Sequence, residues 1–438
     1  MERSSEFEWL TSLEKFGIRL GLENITQLLA ALGNPQNKFP SVLIAGTNGK
    51  GSVAAMLQSI LTLSGYRTGL YTSPHLVHVE ERIRIGYEDI SAGELSRSLS
   101  RIRTNVESLL KKKKISEHPT YFEILTAATF DLFAFHKIRI AVLEVGLGGR
   151  FDATNTVMPV LSIITNIEKD HTEYLGTTFE KITFEKAGIV KECGVLLTGE
   201  TKRIPLKVIS DICRKRGSYF INALDDSDFA VNPEGSVTIR TVTDEYANLR
   251  IPLPGMHQIE NARIAIRAAE ILANKGFSIA KQNIIEGIGK AVWKGRLEWI
   301  DSEPPILLDG AHNVAAARVL SQYLRTLKEQ GKRIKMIFGA MKDKDIDGMM
   351  KVLFPVADSV YLTAPDMERA AKPDDLFRRS LKYNGQVRKC DNLREALAAA
   401  RQARSSKIIS IRTRKPVDDS IICICGSLFL VGAFKSLR

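Results

Sequence analysis

The sequence is short of several things, and each shortage excludes something. No apolar run approaches the roughly 20 residues needed to cross a bilayer, so no membrane partner is expected. There are 5 cysteines in 438 residues, Cys193, Cys213, Cys390, Cys423 and Cys425, without disulfide or zinc spacing. The one close pair, Cys423 and Cys425, lies in an apolar run where alternate strand residues share a face. It reads as buried reduced thiols, which suits a reducing cytoplasm. No repeat or low-complexity segment stands out. The first residues, Met-Glu-Arg-Ser-Ser-Glu-Phe-Glu, are polar and lack the apolar stretch of a secretion signal. Negative charge is in deficit: 62 Lys and Arg against 50 Asp and Glu leave +12. Such a surplus suits nucleic acid or a polyanionic small molecule. The basic residues are spread along the chain, however. The one dense run, 111–114, reads as a solvated loop between helices with no interleaved aromatics, so no nucleic-acid partner is expected.

What is present is globular material in quantity. At 438 residues the chain exceeds one usual domain, and two or three are expected. Apolar or β-branched segments at 42–45, 68–72, 138–145 and 160–166 read as strands. Amphipathic stretches separate them. The clearest is 121–136, where Thr120 and Glu123 form a capping-box signature. This alternation predicts a largely parallel sheet covered on both faces. Residues 229–253 differ: a β-branched run, Val237-Thr-Ile-Arg-Thr-Val-Thr243, follows the turn signal Asn232-Pro-Glu-Gly235, predicting a hairpin or small antiparallel sheet. An alanine-rich helix is expected at 258–275. A second alternation begins near residue 300, with strands at 306–308, 333–338, 359–363 and 421–425. Its helices fall at 315–328, 349–353 and 393–404, and a short last one follows Gly426-Ser427.

The stretch Ser41-Val-Leu-Ile-Ala-Gly46-Thr-Asn-Gly-Lys50-Gly-Ser52 runs an apolar strand into a glycine turn, a lysine and a small hydroxyl residue. An apolar helical run follows at 53–63, with Gly65 where its C-terminus would lie. This is the architecture of a phosphate cradle. Glycines let backbone N–H groups approach the oxygens, the helix N-terminus adds positive potential, and Lys50 adds a point charge. The chain therefore reads as a user of nucleoside triphosphate. A bare glycine-rich turn is the plainer alternative, but the flanking strand and helix are what the motif requires. Gly51 stands where Ser or Thr usually follows the lysine. The fold class is α/β: a P-loop mononucleotide-binding parallel-sheet domain with a small antiparallel addition over 1–295, and a Rossmann-like α/β domain over 296–438. The boundary is placed at 293–298.

In an open α/β sheet, chemistry collects at the carboxyl ends of strands. Tyr71-Thr-Ser-Pro-His75 ends the second strand, making Ser73 a Mg²⁺ or phosphate ligand, or else part of a Ser-Pro turn. Glu144 closes an apolar strand and precedes Gly146-Leu-Gly-Gly149-Arg-Phe-Asp152. A buried acid is costly unless paired or metal-bound, so Glu144 is either a Walker-B-like acid for Mg²⁺ or half of a buried salt bridge. Asp170-His171-Thr172 follows the next strand, and His171 is a metal or substrate residue or a structural histidine. Glu185-Lys186-Ala-Gly188 lies on a short helix, where Lys186 on residues alone reads as a solvated charge. In the second domain, Leu307-Leu-Asp309-Gly-Ala-His312-Asn313 puts Asp309 and His312 at a strand end, with Asn313 suited to cap the next helix. Arg296, at the junction, can clamp a triphosphate. Each of these is otherwise an ordinary turn or surface residue.

Taken together, Gly46-Thr-Asn-Gly-Lys-Gly-Ser52, Thr72-Ser-Pro-His75, Glu81-Arg-Ile83, Glu144-Val-Gly-Leu-Gly-Gly-Arg150, Asp152-Ala-Thr-Asn155, Asp170-His171, Glu185-Lys-Ala-Gly188, His257-Gln-x-x-Asn261-Ala, Gly295-Arg296 and Asp309-Gly-Ala-His-Asn313 resemble the Mur ligase superfamily. Within it the match is to the folylpolyglutamate synthase/dihydrofolate synthase family, over at least residues 20–313. The resemblance implies a Mur-ligase-like ATP-binding domain with a folate site, followed by a C-terminal glutamate-ligase domain. It implies an ATP-dependent amide ligase that adds L-glutamate to folates and to dihydropteroate through an acyl phosphate. By motif, Thr47, Asn48, Gly49, Lys50, Gly51 and Ser52 bind ATP phosphates. Asn261, Arg296 and Asp309 contact ATP, the last two across a domain gap. Ser73, Glu144 and His171 are the implied Mg²⁺ ligands. Lys50, Lys186 and His312 carry the implied catalytic roles, with Lys186 carbamylated and His312 orienting glutamate or phosphate. A monovalent cation is a further cofactor candidate.

Leu20-Gly-Leu-Glu-Asn24 resembles the N-terminal segment lining the pteroate site of bifunctional members. That assigns Leu20, Gly21 and Leu22, with Thr120 and Phe151, to the pterin or folate. Arg19 stands where those members often carry an acid, and Asn24 where they carry a base. The expected partners are folate or dihydropteroate, L-glutamate and ATP, for a cytoplasmic monomer. Alternatives are a folylpolyglutamate synthase only, or another Mur-type amino-acid ligase. A cell-wall Mur ligase carries an added N-terminal domain, for which a loop at Gly46 leaves no room. A nucleic-acid-stimulated ATPase rests on charge alone. The second α/β domain and the Lys186 motif speak against a non-enzymatic nucleotide switch.

Overall fold

Strand β1 (Ser41–Ala45) is buried along its whole length, as a strand covered on both faces must be. The computed structural model describes residues 5–402 and 419–437. The chain divides into two units. One runs to residue 252 and takes in Gln258–Val292, and the other holds Leu253–His257 and everything from residue 293.

In the first unit, β1 is joined by β2 (Thr68–Tyr71), β3 (Ile83–Ile85), β4 (Glu88–Asp89), β5 (Ile140–Glu144), β6 (Leu161–Ile164), β7 (Val195–Thr198) and β8 (Tyr219–Asn222). The order across the sheet is β4-β3-β2-β5-β1-β6-β7-β8. The pairs from β2 through β8 are parallel, and β3 and β4 add an antiparallel edge. The register sets Ile44 opposite both Glu144 and Ile163, so the carboxyl ends of β1, β5 and β6 open onto one edge.

Helix Lys50–Leu63 leaves that edge from β1 and is buried from Gly51 to Leu61, which its apolar sequence on every side dictates. Helix Tyr121–Phe135 starts at the expected capping box, with Thr120 and Glu123 each satisfying the other's backbone N–H. Its Phe130 and Phe133 are fully buried, each contributing about 2–3 kcal/mol of apolar burial.

The antiparallel expectation resolves into three strands, β9 (Ser227–Val231), β10 (Val237–Thr241) and β11 (Glu245–Leu249), in the order β11-β10-β9. A buried polar cluster anchors them to helix His257–Asn274. The Glu270 carboxylate accepts from Tyr246 at 2.9 Å, from Thr241 at 2.6 Å and from Arg267, which also meets Asp226 at 2.9 Å.

The second unit's sheet is built from β12 (Glu298–Ile300), β13 (Ile306–Leu308), β14 (Arg333–Phe338), β15 (Ser359–Leu362), β16 (Val387–Lys389) and β17 (Ser420–Cys425). It runs in the order β12-β13-β17-β14-β15-β16, parallel except for β12. Cys423 and Cys425 are buried free thiols in its central strand. The helix expected at 393–404 is described as Leu393–Gln402, and its last two residues lie outside the described residues.

Candidate active site

The turn after β1 is held by the end of β6. Thr47 N–H donates to the Asn166 carbonyl at 2.8 Å, and Asn48 N–H to the Asn166 side chain at 3.0 Å. The Thr165 hydroxyl donates to the Asn48 carbonyl at 2.7 Å. Two glycines make this possible. Gly46 sits at φ +146°, and a Cβ there would collide with the Thr165 hydroxyl. Gly49 sits at φ +82°, and a Cβ would lie 2.5 Å from Asn261 Oδ1. Asn261 in turn donates to Gln258 at 2.9 Å, and Gln258 reaches the buried Ser52 hydroxyl at 3.4 Å. The loop is thus shaped by protein partners in advance of any ligand. Thr165 and Asn166 escaped the sequence reading, which carries Gln258 only inside the His257-Gln-x-x-Asn261-Ala motif, without a role. The available signal was polar residues closing the apolar run 160–166.

Lys50 donates to the Thr47 carbonyl at 3.2 Å and stands 3.9 Å from the Glu144 carboxylate. Glu144, 4% exposed at the end of β5, also accepts from Ser73 N–H at 3.3 Å. The structure therefore brings Lys50, Ser73 and Glu144 together. The Ser73 loop is shaped by Glu81, whose carboxylate accepts from the N–H groups of Leu76, Val77 and His78 at 2.8–3.0 Å. Burial pushes that carboxyl up, but the three donors win and hold it below its usual range. Next to it, Arg82 donates to His75 at 2.9 Å and covers the Tyr121 ring at 5.5 Å. The Glu81-Arg motif thus has a local role that sequence reasoning left blank.

Lys186 corrects an expectation. On residues alone it reads as a solvated charge, yet it is 6% exposed and donates to the Gly46 carbonyl at 2.8 Å. Burial, reinforced by the positive charge of Lys50 and opposed by Asp170 and Asp152, pushes its amine down to about 7. A helix only eight residues long, Phe179–Lys186, is placed so that its last side chain reaches under the phosphate loop. Asp152 organises the glycine loop before it, accepting from Leu147 N–H at 2.9 Å and Thr154 N–H at 3.0 Å, and burial pushes its carboxyl up. His171 takes a left-handed φ of 50° beside Asp170, whose carboxylate lies 4.0 Å from its ring.

The folate candidates are more scattered. The Thr120 hydroxyl donates to Glu123 at 2.8 Å as part of the helix cap. The Phe151 ring is covered by Arg150 at 4.2 Å, itself paired with Glu185 at 2.7 Å. Leu20 is exposed, Gly21 has φ +149°, and Leu22 precedes helix Glu23–Ala31. Among the described residues, no hydrogen bond joins Leu20, Gly21 or Leu22 to Thr120 or Phe151.

In the second unit, the Asp309 carboxylate accepts from Leu297 N–H at 3.0 Å and Ala311 N–H at 2.9 Å. Burial pushes it up, against the pull of Arg296. His312 Nδ1 is 2.8 Å from the Gly310 carbonyl, and Asn313 caps helix Val314–Glu329 as expected. Burial and the Arg296 charge push His257 down to about 4.

Ser73 N–H meets the Glu144 carboxylate at the ends of neighbouring strands, and the side-chain oxygens of these two residues could serve a cation. Among the described residues no three His, Cys, Asp or Glu converge on a metal position. That sparse, oxygen-weighted set fits Mg²⁺, which takes one or two carboxylates and fills its shell from water and substrate phosphates.

Comparison with known proteins follows the same division of the chain. Residues 44–269 match the Mur ligase middle domain and 295–413 the Mur ligase glutamate ligase domain. The chain is 38% identical to dihydrofolate synthase/folylpolyglutamate synthase of Bacillus subtilis, over 85% of this chain and 87% of that one. The folylpolyglutamate synthase of Mycobacterium tuberculosis, complexed with ADP and AMPPCP, superposes with a TM-score of 0.87 at 31% identity, covering 99% of both chains. A bifunctional folylpolyglutamate synthase/dihydrofolate synthase with Mn, AMPPNP and L-glutamate bound gives 0.84 at 28% identity, covering 99% of this chain and 98% of that one. The phosphate loop, the buried lysine beneath it and both matched domains have one account: the chain belongs to the Mur ligase family, in its folylpolyglutamate synthase/dihydrofolate synthase branch.

Proposed function

We propose that the chain is an ATP-dependent ligase that joins L-glutamate to folates and to dihydropteroate. The observation that carries this reading is the phosphate loop with Lys186 buried beneath it. The substrate carboxylate oxygen attacks the γ-phosphorus of ATP and ADP leaves, giving an acyl phosphate. The glutamate amine then attacks the acyl carbon, inorganic phosphate leaves, and the nitrogen loses a proton. Little covalent chemistry falls to the protein, so its work is positioning and charge neutralisation.

The backbone N–H groups of residues 47–52 cradle the phosphates, and Lys50 offsets charge on the γ-phosphate. Asn261 holds Gly49 in register. Ser73, Glu144 and His171 would hold Mg²⁺, which when bound neutralises phosphate charge. Lys186 would take up CO₂: its neutral amine forms the N–C bond and releases a proton, leaving a carbamate, a role its burial and lowered basicity support. On the second unit, Arg296 and Asp309 are assigned to the nucleotide and His312 to glutamate or phosphate. Leu20, Gly21, Leu22, Thr120 and Phe151 are assigned to the pterin.

The test is ATP turnover with glutamate, comparing dihydropteroate with tetrahydrofolate as acceptor. Turnover should depend jointly on acceptor and glutamate. Stimulation by nucleic acid, with none by pterin plus glutamate, would overturn the proposal. Turnover with tetrahydrofolate alone would reduce it to a folylpolyglutamate synthase.

A further inference from the structure

The opposite edge of the first unit's sheet carries a second concavity. The segments entering β1, β5 and β2 and the end of helix His257–Asn274 surround a cleft of about 650 Å³. Lys38, Lys137, Arg139 and Lys275 line it, with Tyr66 and Phe277, and no Asp or Glu does. Lys38 precedes β1, Lys137 and Arg139 precede β5, and Tyr66 precedes β2. The cleft therefore sits at the amino ends of three neighbouring strands. The phosphate loop leaves the carboxyl end of β1, about 17 Å away at 3.3 Å per residue.

Cations at this edge have an ordinary explanation. Helices Lys50–Leu63, Tyr121–Phe135 and His257–Asn274 all end here, and positive charge complements a helix C-terminus. Magnitude decides against that being the whole account. Three helix ends carry about −0.5 charge each, so four cations leave an excess of more than two positive charges. All four side chains are exposed, and none forms an ion pair among the described residues. The Tyr66 and Phe277 rings, 5.5 Å apart, add an apolar flank. Their placement is fixed by the Tyr66 hydroxyl, which accepts from Ser278 N–H at 2.6 Å.

We propose that this cleft is a second ligand site, separate from the phosphate loop, which binds an aromatic ring system bearing several negative charges. Two sources share that chemistry: an aryl polycarboxylate and a nucleoside polyphosphate. The cations would take carboxylates or phosphates, and the Tyr66–Phe277 wall the ring.

Ile138, which also lines the cleft, reports occupancy through its backbone amide by ¹⁵N NMR once assigned with Ile138→Val. The probes are p-aminobenzoyl-triglutamate and ADP, each titrated into the full chain. A saturable shift with the first alone identifies a polycarboxylate site, and with the second alone a nucleotide site. In Lys38→Glu/Lys137→Glu/Arg139→Glu the responding probe should bind at least tenfold more weakly, with ATP-dependent ligation unchanged. Lys275→Glu, a single change at an exposed helix end, should weaken it at least threefold and covers the case of a triple variant that fails to fold. An Ile138 signal that stays still with both probes at millimolar concentration overturns the proposal. So does a shift that survives charge reversal undiminished.

Discussion

Lys186 offers the sharpest test, because burial alters what its amine can do. An ordinary lysine titrates near 10.5, and this one is pushed down to about 7. At pH 8 the neutral fraction is then about 0.9, against about 0.003 for the ordinary value, a roughly 300-fold gain in amine able to attack CO₂. In ¹³C-bicarbonate the protein should show one slowly exchanging carbamate resonance at pH 8. It should fade as pH falls through 7 and be missing from Lys186→Met. The same shift fixes a stability slope in CO₂-free buffer. Below pH 7 both folded and unfolded chains hold the proton. Between 7 and 10.5 only the unfolded chain does, so the unfolded state binds more protons and stability rises with pH. The expected slope is about 1.4 kcal/mol per pH unit across that window. Lys186→Met should remove it and be more resistant to urea than the parent at pH 7. A carbamate signal that persists in Lys186→Met, or equal pH slopes in the two proteins, would refute the assignment.

Two further outcomes follow from the loop and its neighbours. Glu144→Gln keeps the shape and hydrogen bonding of a buried side chain but removes the charge proposed to hold Mg²⁺. Ligation should fall by about 10²–10³-fold while the far-ultraviolet circular dichroism spectrum is unchanged, and near-parental activity in Mg²⁺ would contradict the metal role. Gly49→Ala and Gly65→Ala form a matched pair, at φ +82° and +85°, but only the first meets a neighbour, Asn261. Each should cost about 1 kcal/mol for the left-handed backbone. Only Gly49→Ala should also raise the KM for ATP, by tenfold or more, because Asn261 must yield. Equal KM effects from both would show that the Asn261 contact does not shape the loop.

The parts of this molecule legible in its sequence are those where a local rule leaves a pattern. The Thr120–Glu123 cap, the Asn313 cap and the apolar central strands each show in residues a few positions apart, and the Gly46–Lys50 turn shows in its spacing although Thr165, Asn166 and Asn261 hold it in place. Strands β7, β8, β12 and β16 did not stand out. Each is four residues or fewer, and β8, β12 and β16 are partly exposed edge strands that need no continuous apolar run. Long-range partners were equally silent. Glu270 reads as one more charge on an amphipathic helix, yet it is the buried acceptor that fastens β10 and β11 to that helix.

The site divides along the same line. Residues 47–52 declare themselves by spacing, whereas Lys186 reaches the Gly46 carbonyl across 140 positions. No periodicity could have announced that contact. Resemblance could, because a motif shared with a family carries the record of a distant contact without its geometry. The structure supplies the missing physical reason. A lysine on a short helix is a solvated charge until the loop it reaches takes away its water, and then the same side chain becomes a neutral amine near pH 7. The chemistry assigned to Lys186 is therefore a property of the loop as much as of the lysine. Loosening the loop, as Gly49→Ala should do, ought to return the amine toward its ordinary value and diminish the carbamate with it.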